Sequence, residues 1–298
     1  MRPSSRARSA RFLFLTISLL SGLLLLTPGR AGAPTRFTVT VHGQGPDVLL
    51  IPGLASPTSI WDTTVAQLQG SRRVHVVQVA GFAGAPAAGN SAGPVVPGLV
   101  EEIAAYIAEQ ALPAPAIIGH SLGGVTALLL AARHPAAVGR VLVVDALPFF
   151  PLIVSPAATV EGVRPMAGAL RDQVAGQSPA IFAATQAATL QRMVKDEAAR
   201  AALVPLVAKS DPQVVARALH DLMTTDLRPE LAAIQAPLTV LYASDETSGF
   251  PVTTVARLLQ TSYANAKSAR LIRMDGSLHF IMLDQPGKFA AAVEDFLK

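Results

Sequence analysis

The chain has 298 residues, of which 51% are hydrophobic and 15% charged; this composition excludes a disordered or fibrous protein and suits one large core or two modest ones. The first 33 residues carry five arginines and no acid, so the formal charge of +4 falls to −1 for the remainder. A nearly neutral body argues against a nucleic-acid partner, and the absence of cysteine excludes disulfides, thiolate catalysis and cysteine-based metal sites.

The first predicted element is an export signal over residues 1–33. An arginine-rich start precedes the apolar run from Phe12 to Leu26, and a Thr-Pro-Gly breaker follows. The run has 15 residues, fewer than the roughly 20 that a helix needs to cross a bilayer. Cleavage after Ala31 or Ala33 fits the small-x-small pattern of signal peptidase sites. We therefore expect a periplasmic or extracellular protein with no stable membrane insertion after cleavage; a retained N-terminal membrane anchor is the alternative.

Short β-branched runs then alternate with longer helical patterns, which is typical of a mostly parallel sheet flanked by helices. The predicted strands are 37–42, 47–51, 73–79, 116–119, 141–144, 238–243 and 270–274. The predicted helices that go with them are 99–110, 122–134, 252–259 and 286–297.

The alternation of strands and helices stops near residue 147 and resumes near residue 237. Helical patterns punctuated by prolines fill the interval, without a convincing strand. No linker composition marks the interval as a separate domain. We therefore expect an α/β core of residues 34–146 and 237–298, into which residues 147–236 are inserted as a helical cap.

Two Gly-x-Ser-x-Gly matches, centred on Ser91 and Ser121, are candidate nucleophile motifs. A nucleophile elbow requires a strand, a sharp turn at the serine and a helix that begins at once. Ser121 has this context, because the apolar run 116–118 precedes it and a helical pattern follows directly. Ser91 lies in a loop rich in Gly and Pro. We therefore predict Ser121 as the nucleophile.

A serine nucleophile needs a general base, and His279 is the best candidate among six histidines. It follows the last predicted strand by a short loop, so it belongs to the edge of the sheet where Ser121 lies and where ligands bind in open parallel sheets. The other five histidines occupy positions typical of structural residues: His42, His75, His120, His134 and His220.

The acid that orients the base should follow a strand and lie between serine and histidine in chain order. Asp245 and Asp145 both meet these conditions. Asp245 is the preferred prediction because it follows the cap and lies one strand before His279; Asp145 is the alternative. The backbone N–H groups of Leu54 and Leu122 are the predicted oxyanion-hole donors, since one follows an early strand and the other follows Ser121.

These motifs together resemble the α/β-hydrolase superfamily, in particular its small capped esterases and lactonases. The resemblance rests on 49–54 with Trp61 and Asp62, on 81–84, 119–124 and 241–245, and on His279 with Phe280. Two features depart from the superfamily pattern: Pro52-Gly53 replaces the usual His-Gly, and the usual Asp after the next strand is missing near Val79.

The resemblance implies a serine esterase of the carboxylesterase type (EC 3.1.1) that uses Ser121, His279 and an aspartate, without a metal or cofactor. The apolar cap favours small to medium, uncharged ester substrates. Lactone or thioester hydrolysis, acyl transfer and perhydrolysis would use the same triad, and a non-catalytic binding protein is the alternative from another class. The sequence predicts no oligomeric state.

Overall fold

The computed structural model describes residues 34–249, 251–267 and 269–298, and its centre is a seven-stranded sheet. The predicted export signal lies outside the described residues. The strands are β1 (Phe37–His42), β2 (Asp47–Ile51), β3 (Arg73–Val79), β4 (Ala116–His120), β5 (Arg140–Val144), β6 (Leu238–Ser244) and β7 (Ala269–Asp275). They run in the order β1-β3-β2-β4-β5-β6-β7, and only β1 is antiparallel to its neighbour. The predicted α/β fold is confirmed.

Ten α-helices accompany the sheet within the described ranges. They are α1 (Asp62–Leu68), α2 (Val96–Glu109), α3 (Leu122–Arg133), α4 (Val160–Ala175), α5 (Pro179–Met193), α6 (Glu197–Val207), α7 (Pro212–Thr224), α8 (Val252–Ser262), α9 (Ile281–Asp284) and α10 (Pro286–Phe296). Sequence patterns did not predict the short helices α1 and α9. None of the described helices combines the length and apolar content that crossing a bilayer requires.

The central strands are buried along their whole length, as a parallel sheet covered on both faces requires. Every residue of β2 and of β4 is buried, and so are the four residues 141–144 of β5. Buried apolar residues also fill most of α3, which packs against β4 and β5. This rigid centre carries the turn that follows β4.

The register of the sheet determines which residues meet at its carboxyl edge. His120 at the end of β4 pairs with Val144 at the end of β5, so Ser121 and Asp145 leave the sheet side by side. Val144 also pairs with Leu241 of β6, and β6 continues to Ser244. Asp245 therefore lies three residues beyond the level of Asp145, about 10 Å farther along the strand direction.

The segment predicted as a cap contains helices α4 to α7 and, in its described residues, no strand. Each of these helices begins at a residue whose side chain accepts a backbone N–H from the first turn, which stabilises the helix start: Thr159, Ser178, Asp196 and Asp211. Proline follows the capping residue in α5 and α7, where its missing N–H costs nothing.

Candidate active site

Ser121 occupies a strained turn between β4 and α3. Its φ of 53° and ψ of −118° lie outside the usual regions for a residue with a side chain. The surrounding backbone holds this conformation, because Ser121 N–H donates to Val144 O at 2.9 Å and Ser121 O accepts from Val125 N–H at 3.0 Å. The strand, strained turn and immediate helix are the features that sequence analysis required of a nucleophile elbow.

The two glycines of the motif are needed because backbone crosses backbone at this turn. A Cβ on Gly119 would overlap the carbonyl group of Gly123. A Cβ on Gly123 would overlap Ile51 O and lie 2.7 Å from Pro52 O. Gly123 therefore lets α3 begin directly against the loop that follows β2, which carries the predicted oxyanion donor Leu54.

His279 is bonded to Asp145, the alternative acid. The ring Nδ1–H donates to Asp145 Oδ2 at 2.7 Å, and both side chains are about one-fifth exposed. Asp145 is fixed in turn, since its Oδ1 accepts the backbone N–H of Ala243 at 2.8 Å and its own N–H donates to Leu241 O. The carboxylate thus holds the imidazole with Nδ1 protonated, which leaves Nε2 free to accept a proton.

Asp245, the preferred acid, does not contact His279 in the structure, contrary to the prediction. Asp245 Oδ2 instead accepts from Lys195 Nζ at 2.6 Å, and Oδ1 accepts from the backbone and hydroxyl groups of Thr247. The hydrogen bonds from Lys195 and Thr247 lower the pKa of Asp245 to about 2. The physical reason is the longer β6, which carries Asp245 past the level at which Asp145 meets the histidine.

The side chain of His120 is hydrogen-bonded to the backbone of His279. Its side chain is 1% exposed, and Nε2–H donates to the carbonyl oxygen of His279 at 3.1 Å, with the two ring centroids 4.6 Å apart. Burial, with the nearby His279, lowers the pKa of His120 well below its usual value, so the ring is neutral at neutral pH. His120 belongs to the histidines predicted to be structural, and nothing in its spacing indicates this contact with His279.

The predicted oxyanion donors have backbone N–H groups without a protein acceptor among the described residues. Leu122 begins α3 immediately after Ser121. Leu54 follows Gly53, where an added Cβ would lie 3.1 Å from Ser121 Cβ, so this loop lies against the serine. Two unpaired donors beside a serine hydroxyl can bind a developing oxyanion.

The structure brings Ser121, Asp145 and His279 to one edge of the sheet. Within the described residues, Ser121 Oγ and His279 Nε2 share no hydrogen bond; such catalytic bonds are often long until substrate binds.

Ser91 ends a short 3₁₀ helix, is exposed and has no positive φ. It therefore lacks the features of an elbow.

Side chains of the segment predicted as a cap differ in whether they could contact a substrate. Phe149, Phe182 and Met223 are buried, so they act as packing residues, whereas Met166 is 52% exposed. Across the described part of the chain, no group of three metal-ligating side chains is arranged to hold an ion. The groups gathered at the candidate site are a serine, a histidine, a carboxylate and backbone N–H donors.

A sequence model of the α/β-hydrolase family matches residues 48–292, which is most of the described chain. The chain belongs to the α/β-hydrolase family. This α/β hydrolase is 29% identical over 267 residues to the pimeloyl-(acyl-carrier protein) methyl ester esterase of Aeromonas hydrophila, covering 87% of this chain and 98% of that one. It is also 31% identical over 207 residues to the enzyme of the same name from Vibrio cholerae, covering 68% and 76% of the two chains.

Solved structures agree with the fold of this α/β hydrolase. An enol-lactonase from Burkholderia xenovorans superposes with a TM-score of 0.70 at 22% identity, over 88% of this chain and 96% of that one. A thermophilic esterase from Thermogutta terrifontis superposes with a TM-score of 0.72 at 17% identity, over 88% and 92%. At these identities the likeness concerns the fold alone.

Proposed function

We propose that this α/β hydrolase is an exported serine esterase that cleaves carboxylic esters of small to medium, uncharged, apolar substrates. The observation that carries the proposal is the 2.7 Å bond from His279 Nδ1 to Asp145, next to the strained Ser121 turn. A Ser–His–Asp arrangement with two free backbone donors is suited to acyl transfer. The relatives named as methyl ester esterases favour esters as the substrate class.

In the proposed reaction, Ser121 Oγ attacks the ester carbonyl carbon while its proton passes to His279 Nε2. The N–H groups of Leu54 and Leu122 stabilise the oxyanion. The bond to the alcohol oxygen then breaks, His279 returns the proton to that oxygen, and the acyl group remains on Ser121. Water repeats the sequence, with His279 as base, and releases the carboxylic acid. Asp145 keeps the imidazole oriented and stabilises its protonated form without taking the proton.

The balanced charge of the predicted cap favours an uncharged substrate. Residues 147–236 contain eight basic and eight acidic side chains, which give no net attraction for an anion or a cation.

Export rests on the sequence of residues 1–33 alone. Mass spectrometry of the N-terminus of protein recovered outside the cytoplasm tests it: a chain that begins after Ala31 or Ala33 supports export, and a chain that keeps residues 1–33 supports the anchor.

The catalytic proposal is tested by comparing Ser121→Ala with Ser91→Ala, since both serines have the same flanking glycines. We expect Ser121→Ala to lower kcat on p-nitrophenyl and methyl esters by about 10⁴- to 10⁶-fold and Ser91→Ala to leave it unchanged. A fluorophosphonate probe should label wild type at Ser121. Unchanged activity of Ser121→Ala would refute the serine mechanism, and failure of labelling would favour a non-catalytic binding protein.

A panel of substrates separates the reactions that share this triad. Esters, lactones and thioesters of matched acyl length should be compared by kcat/KM, with peroxide or a second alcohol added to detect perhydrolysis or acyl transfer. The proposal expects the highest kcat/KM on esters and no loss of activity with EDTA. Higher values on lactones or thioesters would change the substrate class but keep the roles of Ser121 and His279.

A further inference from the structure

The carboxylate of Asp284 joins the loop that carries His279 to the cap. Its Oδ2 accepts the backbone N–H of Leu278, the residue before His279, at 2.8 Å. Its Oδ1 accepts the backbone N–H groups of Lys195 at 2.8 Å and Asp196 at 3.0 Å. Lys195 and Asp196 belong to residues 194–196 between α5 and α6, which we call the cap linker. One side chain at the end of α9 therefore bonds both segments.

Two further hydrogen bonds join this region to the core, one at the end of α5 and one from the cap linker. Phe280 is the next residue after His279, and its backbone N–H donates to Met193 O, at the end of α5, at 3.2 Å. Lys195 Nζ donates to Asp245, which follows β6. Both chain neighbours of His279 are therefore attached to this part of the chain. Leu278 is attached to the cap linker through Asp284, and Phe280 is bonded directly to the end of α5.

An ionised carboxylate has enough acceptor positions for these three N–H donors, whereas an amide does not. A carboxylate has two acceptor oxygens with about four lone-pair positions, whereas an asparagine side chain has one acceptor oxygen and an NH₂ group. In Asp284→Asn the NH₂ would face either Leu278 N–H or the pair from Lys195 and Asp196. The substitution therefore keeps the size of the side chain and breaks one of its two attachments.

We propose that Asp284 is a positioning residue that sets the place of His279 by tying its loop to the cap linker. The inference rests on the proposed function, in which His279 is the base. Its consequence is that the cap cannot shift at this linker without moving the backbone next to His279. Because a displacement of about 1 Å near a catalytic group can cost on the order of 10² in rate, loss of this carboxylate should affect turnover more than binding.

The test compares Asp284→Asn with two matched controls. Asp172→Asn changes an exposed cap carboxylate that pairs with the adjacent Arg171. Lys195→Met removes the bond to Asp245 but keeps the backbone N–H that donates to Asp284. We expect Asp284→Asn to lower kcat about 100-fold with KM within about threefold, and the labelling rate of Ser121 by fluorophosphonate to fall in parallel. Both controls should stay within about threefold of wild type, because both keep the three backbone bonds to Asp284. The Asp172 pair is also exposed and contributes little.

Asp284→Glu provides the rescue, because it restores two acceptor oxygens one methylene farther out. Its kcat should lie between those of wild type and Asp284→Asn. If Asp284→Asn is insoluble, Asp284→Glu decides: a lowered kcat at unchanged KM supports the proposal. Wild-type kcat in folded Asp284→Asn, with only a lower Tm, would overturn it.

The outcome for Asp284 can be separated from the outcome for the ester substrate. If wild type hydrolyses no ester of the panel but is labelled at Ser121, the substrate proposal fails. The labelling rates of the Asp284 variants then still report whether His279 is positioned. If Ser121 is not labelled at all, both proposals fail.

Discussion

Replacing Asp145 by asparagine is the sharpest test of which carboxylate serves His279. The amide side chain would have nearly the same shape as the carboxylate, and its oxygen would keep the acceptor position for Ala243 N–H. The NH₂ group would then face His279 Nδ1, where Asp145 Oδ2 now accepts at 2.7 Å. His279 could satisfy that contact only with Nδ1 unprotonated and the proton on Nε2, the nitrogen that takes the proton of Ser121 in the proposed reaction.

The size of the effect follows from this reversed tautomer. In a triad, an aspartate-to-asparagine change with intact geometry lowers kcat by about 10⁴-fold. At 1.36 kcal/mol for each factor of ten, this is about 5.4 kcal/mol of added barrier. Asp245→Asn should lower kcat less than about tenfold, because His279 is bonded to Asp145 and the new amide keeps an acceptor for Thr247.

The assay is kcat on a p-nitrophenyl ester for wild type, Asp145→Asn and Asp245→Asn, with folding checked by thermal unfolding. Labelling of Ser121 by a fluorophosphonate should slow in the same order, since it needs the same activated hydroxyl. A large loss in Asp245→Asn together with a small loss in Asp145→Asn would refute the reasoning. It would mean that Asp245 leaves Lys195 and pairs with His279 during turnover.

Three further predictions concern the turn and the cap contact. Gly123→Ala should lower the free energy of unfolding by about 1–3 kcal/mol, measured by urea denaturation, because its Cβ would overlap Ile51 O. Ser121→Gly should abolish activity yet raise that free energy by about 1 kcal/mol, because glycine accepts a φ of 53° without strain; a lower value would contradict strain at this turn. Lys195 and Thr247 lower the pKa of Asp245 from 3.8 to about 2, so its contribution to stability is present above pH 4 and disappears as the pH falls toward 2. The Tm difference between wild type and Asp245→Asn should therefore shrink over that range, and a constant difference would refute the sign.

Most of the core could be predicted from sequence because its strands are short, β-branched and separated by clear turn residues. The bounds of β1, β2 and β3 match the prediction; β4, β5 and β6 differ by one residue at one end, and β7 by one residue at each end. The antiparallel direction of β1 was not specified, because burial patterns do not report strand direction. The short helices α1 and α9 escaped prediction, since one or two helical turns carry too few residues to show a period.

The strained turn at Ser121 was predictable because the signal is local. Strand, glycine, serine, glycine and helix all lie within a few residues of Ser121, and each has a steric reason at that turn. The position of His279 at the same edge of the sheet was predictable from its place after the last strand. The support that His120 gives to the His279 carbonyl was not, because it joins residues 159 positions apart and has no sequence pattern.

Chain order could not decide between Asp145 and Asp245, because both follow a strand and both precede His279. Sheet register decides it: the level of Val144 is shared by His120 on one side and Leu241 on the other, and β6 then runs three residues farther. Sequence alone does not fix where one strand ends relative to its neighbour. Once Asp145 is bonded to His279, Asp245 is available to Lys195 of the cap linker. The length of β6 therefore accounts for the bond of His279 to Asp145 and for the bond of Asp245 to Lys195.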